Sequence, residues 1–120
     1  MTARQAIPLA FRYSLAAGIL ALAGPLTATA AADEAEFHIT VRDGRFGPNE
    51  VAVPAGRNFV LIVDNVGDAI EEFESYDLNR EKVIAPKSRA TIPIGPLKAG
   101  RYEFFNEFSK QVPPGTIRAE

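Results

Sequence analysis

The sequence predicts an all-β fold, a Greek-key β-sandwich of about seven short strands, and three observations predict it. Glu36 to Arg42 alternates strictly, with Phe37, Ile39 and Val41 on one face and His38, Thr40 and Arg42 on the other. Phe59-Val60-Leu61-Ile62-Val63 is continuously apolar and rich in β-branched residues, as a central strand covered on both faces would be. Turns bearing Gly or Pro recur roughly every 8 to 12 residues, from Asp43-Gly44 to Pro113-Pro114-Gly115.

Residues 1–30 stand apart from that pattern. Arg4 and Arg12 form a basic start, Leu15 to Ala23 is a short apolar run closed by Gly24-Pro25, and Ala28-Thr29-Ala30 is a small-x-small motif. This is the arrangement of a signal peptide, with the cut expected after Ala30 or Ala32. The run falls short of the roughly 18 to 20 apolar residues that a membrane span needs. No cysteine is present for lipid attachment, and the two arginines stand too far apart for a twin-arginine signal. The expectation is a periplasmic protein, with a domain over residues 31–120 and no membrane span in the mature chain.

Within that domain Asp43-Gly44 turns the chain, Phe46-Gly47-Pro48-Asn49 makes a loop with one buried aromatic, and Glu50 to Val53 is a second strand. Pro54 cannot donate to a ladder and so closes that strand, and Pro54-Ala55-Gly56 turns the chain as a hairpin into the central strand. Val66 to Asn79 is irregular and acidic, with a short helix over Ala69 to Phe73 as one option. Glu81 to Ile84 and Arg89 to Ile94 are strands separated by Pro86. Tyr102-Glu103-Phe104 is another, and a short final strand includes Thr116-Ile117.

Composition narrows the function. Removing Arg4 and Arg12 from the 13 Lys+Arg leaves 11 against 15 Asp+Glu, a net charge of about −4. A mildly acidic mixed surface argues against nucleic acid or an anionic membrane as partner. With no cysteine there is neither disulfide nor thiolate ligand, so packing alone must stabilise roughly 90 residues. A single histidine, His38 on the polar face of the first strand, leaves no Ser/His/Asp set to assemble. A domain of this size also has little room for the sugar cleft of a glycosidase.

The strand order, the D-G-R-F-x-P turn at Asp43 to Pro48, the V-x-V-P-A-G stretch at Val51 to Gly56 and Asn65 at the end of the central strand resemble the cupredoxin fold. In blue-copper proteins a G-x-Y-x-F strand enters a loop carrying Cys, His and Met. Laid on Gly100 to Phe104 without gaps, that pattern puts Cys at Asn106, His at Ser109 and Met at Pro114. All three ligands are replaced, which rules out ordinary type-1 copper electron transfer. The chain is most similar to the cupredoxin-like periplasmic proteins of bacterial Efe- and Ftr-type ferrous-iron uptake. The residues that carry this are E-E-F-E-S-x-D-L-x-R-E-K at Glu71 to Lys82, I-G-P-L at Ile94 to Leu97, and G-x-Y-x-F-F at Gly100 to Phe105. That group often continues F-F-D-x-F-H, where this chain has Phe104-Phe105-Asn106-Glu107-Phe108-Ser109.

The resemblance implies metal binding, an accessory part in Fe(II) oxidation, and hand-over toward an iron permease or another periplasmic uptake component. The place of the first blue-copper histidine falls to Glu71 or Glu72. The expected metal residues are therefore Glu71, Glu72, Glu74 and Glu107, with Asn106 beside them. Such oxygen donors suit iron, manganese, calcium or Cu(II) and suit Cu(I) badly. The competing reading is a solvated acidic rim paired with Arg80, Lys82 or Arg101, on a metal-free cupredoxin fold that docks a partner. Glu81 has no chemical role legible from the sequence. Tyr76 and Tyr102 suit either a redox role beside a metal or the packing of an amphipathic ring.

Overall fold

Among the described residues, nine short strands, none longer than eight residues, build the domain. The structure is a computed structural model whose described residues are 24–27 and 34–120. The chain divides into Met1–Ala30 and Ala31–Glu120, and the strands formed by the described residues lie in the second unit. Most of the expected leader, and both candidate cleavage points, lie outside the described residues. Among the described residues no helix is long and apolar enough to cross a membrane.

One sheet has β2 (Arg45–Gly47), β1 (Ala35–Arg42), β4 (Phe59–Asn65) and β7 (Arg89–Ile94) in that order, with β1 and β4 parallel. Phe59 to Val63 is an interior strand, paired on both sides as its composition requires. Pro93 sits on the edge strand β7, where its missing N–H breaks no ladder. Asp43 and Gly44 both have positive φ, 50° and 79°, the two-residue hairpin conformation that favours Asp-Gly. That turn folds Arg45–Gly47 back onto β1 as a strand, where the sequence suggested only a loop.

The second sheet has β3 (Glu50–Val53), β9 (Gly115–Ala119) and β8 (Gly100–Phe104). β3 lies parallel to β9 and not beside β4, so Val51 to Gly56 is no hairpin: the chain crosses from one sheet to the other there. The crossing is tied down by the Ala55 N–H to the Glu120 carbonyl and by the Gly56 N–H to the Leu97 carbonyl. β5 (Glu71–Ser75) and β6 (Arg80–Ile84) form a hairpin that extends this layer through paired backbone bonds between Glu74 and Phe105, 2.8 and 2.9 Å. The option of a helix over Ala69 to Phe73 is thereby overturned, because β6 and Phe105 satisfy the strand's amides across the sheet and a five-residue segment nucleates a helix poorly.

Between the layers lie Ile39, Val41, Leu61, Val63, Ile92 and Ile117, with Phe104 stacked on Phe73 at 5.1 Å and edge-on to Phe46 at 5.1 Å. Gly115 lets β9 pass directly over the Phe104 ring, since any Cβ there would strike it. Asn65, 2% exposed, ends β4 by donating to the Ala69, Ile84 and Ala85 carbonyls and accepting from Gly67 N–H. One buried amide thus closes the loop that leads into β5.

Candidate metal centre

Two-residue periodicity along β5 sorts its acids into two groups. Glu71, Phe73 and Ser75 alternate inward and are 2%, 0% and 0% exposed. Glu71 accepts the Gly44 N–H at 3.0 Å on Oε1 and the Asn106 side-chain amide on Oε2. Asn106 in turn accepts the Glu72 N–H at 3.3 Å and the Phe108 N–H at 3.0 Å on Oδ1. It thereby caps the short 3-10 turn Glu107–Ser109. Ser75 Oγ donates to the Glu103 carbonyl at 2.6 Å and accepts the Leu78 N–H at 3.2 Å. The inward face of β5 is a hydrogen-bonded clasp onto the C-terminal loop.

Glu72 and Glu74 occupy the other face. Hairpin register places Glu74 directly opposite Glu81, and Glu72 is two residues along the same strand. Carboxylate oxygens of Glu72, Glu74 and Glu81 all lie within 4.8 Å of one another. Directly opposed like charges destabilise a hairpin, so the pairing opposes local stability. Glu72 is only 4% exposed. Burial raises its pKa first, followed by a hydrogen bond and repulsion from Glu81 and by repulsion from Glu74 and Glu107. The Glu74 pKa is raised as well, by burial and then by Glu81 and Glu107.

No Lys or Arg forms an ion pair with this trio among the described residues. Arg80 spends its guanidinium on the Leu78, Asn79 and Pro93 carbonyls, and Arg101 pairs with Glu50 at 3.4 Å. Lys82 makes no ion pair among the described residues. Glu107 leads the 3-10 turn that packs against β5, and its Oε1 meets Lys110 Nζ at 2.7 Å.

Of the residues expected at the metal, Glu72 and Glu74 come together, while Glu71 and Asn106 hold each other apart from that cluster. Glu81, given no role from the sequence, joins through cross-strand register. The four-residue turn Tyr76–Asn79, read symmetrically, is the signal that points to it. His38 lies on the exposed face of β1 beside Glu36 at 3.4 Å.

The type-1 copper that this fold implies does not fit these residues. The position matching Cys holds an amide whose oxygen and nitrogen are already committed to Glu71, Glu72 and Phe108. Ser109, at the position matching His, lies against Gly44, and Pro114 lines a surface groove with Tyr76 and Phe105. What remains chemically is an oxygen-only donor set, suited to hard or borderline cations.

Comparison with known proteins agrees with the architecture. The chain is 45% identical over 82 residues to the uncharacterized protein RP394 of Rickettsia prowazekii (strain Madrid E), covering 68% of this chain and 66%, just under two thirds, of that one. The metal-binding domain of the Streptococcus pneumoniae Cu(I)-exporting P-type ATPase CopA superposes with a TM-score of 0.62 at 15% identity, over 71% of this chain and 84% of the other. Reduced auracyanin from the photosynthetic bacterium Roseiflexus castenholzii gives 0.60 at 12% identity, over 72% and 98%. At such identities the two structures speak for the fold alone. The model of the cupredoxin-like domain family matches residues 14–119, and the chain belongs to that family.

Proposed function

We propose that this is an exported metal-handling protein that takes an iron or copper ion on the carboxylates of Glu72, Glu74 and Glu81, in support of ferrous-iron uptake. The observation that carries the reading is the opposition of Glu74 and Glu81 beside buried Glu72, with no Lys or Arg of the described residues in an ion pair with any of them. A sequence that places like charges across a hairpin loses stability there, and a bound cation recovers it. Oxygen donors favour Fe(II), Fe(III) and Cu(II) over Cu(I). The uptake context rests on the Glu71 to Lys82 motif and its likeness to the Efe and Ftr group, with an iron permease as the partner it implies.

A second reading, a docking module without metal, draws on the apolar surface beside the centre. Tyr76 is 73% exposed and packs edge-on against Phe105 at 5.2 Å, above a groove that includes Val112 and Pro114. Calorimetric titration of the mature domain with Fe(II) under anaerobic conditions, Mn(II) and Cu(II) separates the two. The metal reading expects saturable binding that Glu72→Gln removes; heats indistinguishable from dilution with all three ions leave only the docking module.

A further inference from the structure

We propose that Glu107 is the fourth carboxylate of this centre and that Lys110 is its resident counter-cation, displaced when a metal ion arrives. The inference rests on the metal reading above and adds to it a ligand, a competitor and a preference among cations. It begins with Asn106. Because Asn106 is clasped to Glu71 and caps the following turn, the first position of that turn, Glu107, is fixed close to β5.

The two oxygens of Glu107 differ. Oε1 meets Lys110 Nζ at 2.7 Å, whereas Oε2 is buried with no hydrogen-bond partner. A buried carboxylate oxygen without a donor is costly unless something else supplies positive charge. Glu72 presents the same problem from the other side, being 4% exposed with no ion-pair partner among the described residues and with a carboxylate as its polar neighbour. Glu107 stands outside the 4.8 Å circle of the trio, yet its charge reaches both Glu72 and Glu74. Among the described residues, the cluster with Glu107 therefore carries four carboxylates against one ion-paired ammonium.

Lys110 is suited to leave. Its side chain is 64% exposed, and an exposed ammonium on a flexible stem returns to water at little cost. Its departure frees the second oxygen of Glu107, so the centre opens a ligand as it admits the cation. Any ion that binds must out-compete a resident monovalent charge. That favours divalent and trivalent ions over sodium or potassium, and it softens the salt dependence that four bare carboxylates would show.

The test uses Mn(II) as probe on the mature domain, comparing wild type with Lys110→Met, Lys110→Arg, Glu107→Gln and Glu72→Gln. Lys110→Met is expected to bind Mn(II) on the order of tenfold more tightly and with a steeper salt dependence, because a repelling charge is gone. Lys110→Arg, which keeps the charge, should stay near wild type, and Glu107→Gln should bind on the order of tenfold more weakly. Unchanged affinity in both Lys110→Met and Glu107→Gln, with Glu72→Gln unable to bind, overturns this proposal and leaves the three-carboxylate reading standing. Wild type that binds no Mn(II), Fe(II) or Cu(II) removes both together.

Discussion

Glu71 accepts a hydrogen bond from the side-chain amide of Asn106, 35 positions later in the chain, with both residues 2–3% exposed. Asn106 stands where the blue-copper pattern has its cysteine, and Glu71 stands at one of the two places that pattern leaves for the first histidine. In a blue-copper protein a metal ion joins those positions. Here an acid and an amide do it directly, adding the Gly44 N–H on one side and the Glu72 and Phe108 N–H groups on the other. The loop junction is closed by hydrogen bonds, and the crowded carboxylates of Glu72 and Glu74 lie on the opposite face of β5.

Removing the amide should open that junction. Asn106→Ala strips Glu71 of one donor and leaves the Glu72 and Phe108 amides without an acceptor. Each buried group left unsatisfied costs about 1 to 3 kcal/mol, so urea denaturation should show a loss of several kcal/mol at neutral pH. A midpoint within error of wild type would mean that water or a neighbour replaces the amide freely.

Gly44 is expected to be equally intolerant for a different reason. Its φ of 79° is unfavourable for a side chain, and a Cβ would lie 2.5 Å from Ser109 Cβ. Gly44→Ala should cost about 1 to 3 kcal/mol from backbone strain and the clash. Adding Ser109→Gly should return part of that loss, and a double-mutant cycle measures how much. Strict additivity of the two changes would show that Gly44 and Ser109 do not meet.

The core prediction concerns Phe104, fully buried between Phe46 and Phe73. Truncation of such a ring typically costs about 3 to 5 kcal/mol. That is a large part of the roughly 5 to 15 kcal/mol available to a domain. Phe104→Ala should therefore lower the denaturation midpoint sharply, or prevent folding at 37 °C, and a small change would remove Phe104 from the core.

Strands were legible wherever a two-residue period met a Gly or Pro boundary. β1 and β7 show this, β4 was marked by its unbroken apolar run, and Pro54 marks the end of β3. What stayed hidden was set by partners distant in the chain. β3 carries no local sign that it lies parallel to β9, and β5 looked irregular because its alternation is of Glu with Glu, Phe and Ser. The same degeneracy left Glu71 and Glu72 interchangeable on paper. Register separates them: one residue's difference turns Glu71 to the clasp and Glu72 to the carboxylate cluster. Glu81 was concealed by its neighbours Arg80 and Lys82, which suggested ordinary charge pairing until Arg80 proved to be bound to backbone carbonyls.

The last prediction follows from the proton affinities of Glu72 and Glu74, both raised above the ordinary 4.5 in the folded protein. A carboxyl that holds its proton more tightly folded than unfolded contributes stability that is fully present below the unfolded value. That contribution is lost as pH rises through the folded value. Wild type should therefore lose stability from about pH 4.5 upward relative to a Glu72→Gln, Glu74→Gln double variant, which cannot ionise at these positions. The difference between their urea curves isolates the effect from every other titrating group. Metal should reverse the ranking at pH 7. A hundredfold excess over the dissociation constant stabilises wild type by about 2.7 kcal/mol, and the double variant by nothing. That gain should shrink as pH falls, since protons and the cation compete for the same oxygens. A difference curve that is flat over roughly pH 4 to 8 would show that the carboxylates are not crowded in the folded state. If the curve slopes as expected but Fe(II), Mn(II) and Cu(II) all leave the melting temperature unmoved at pH 7, the crowding is real, no cation relieves it, and the acidic face is left to a protein partner.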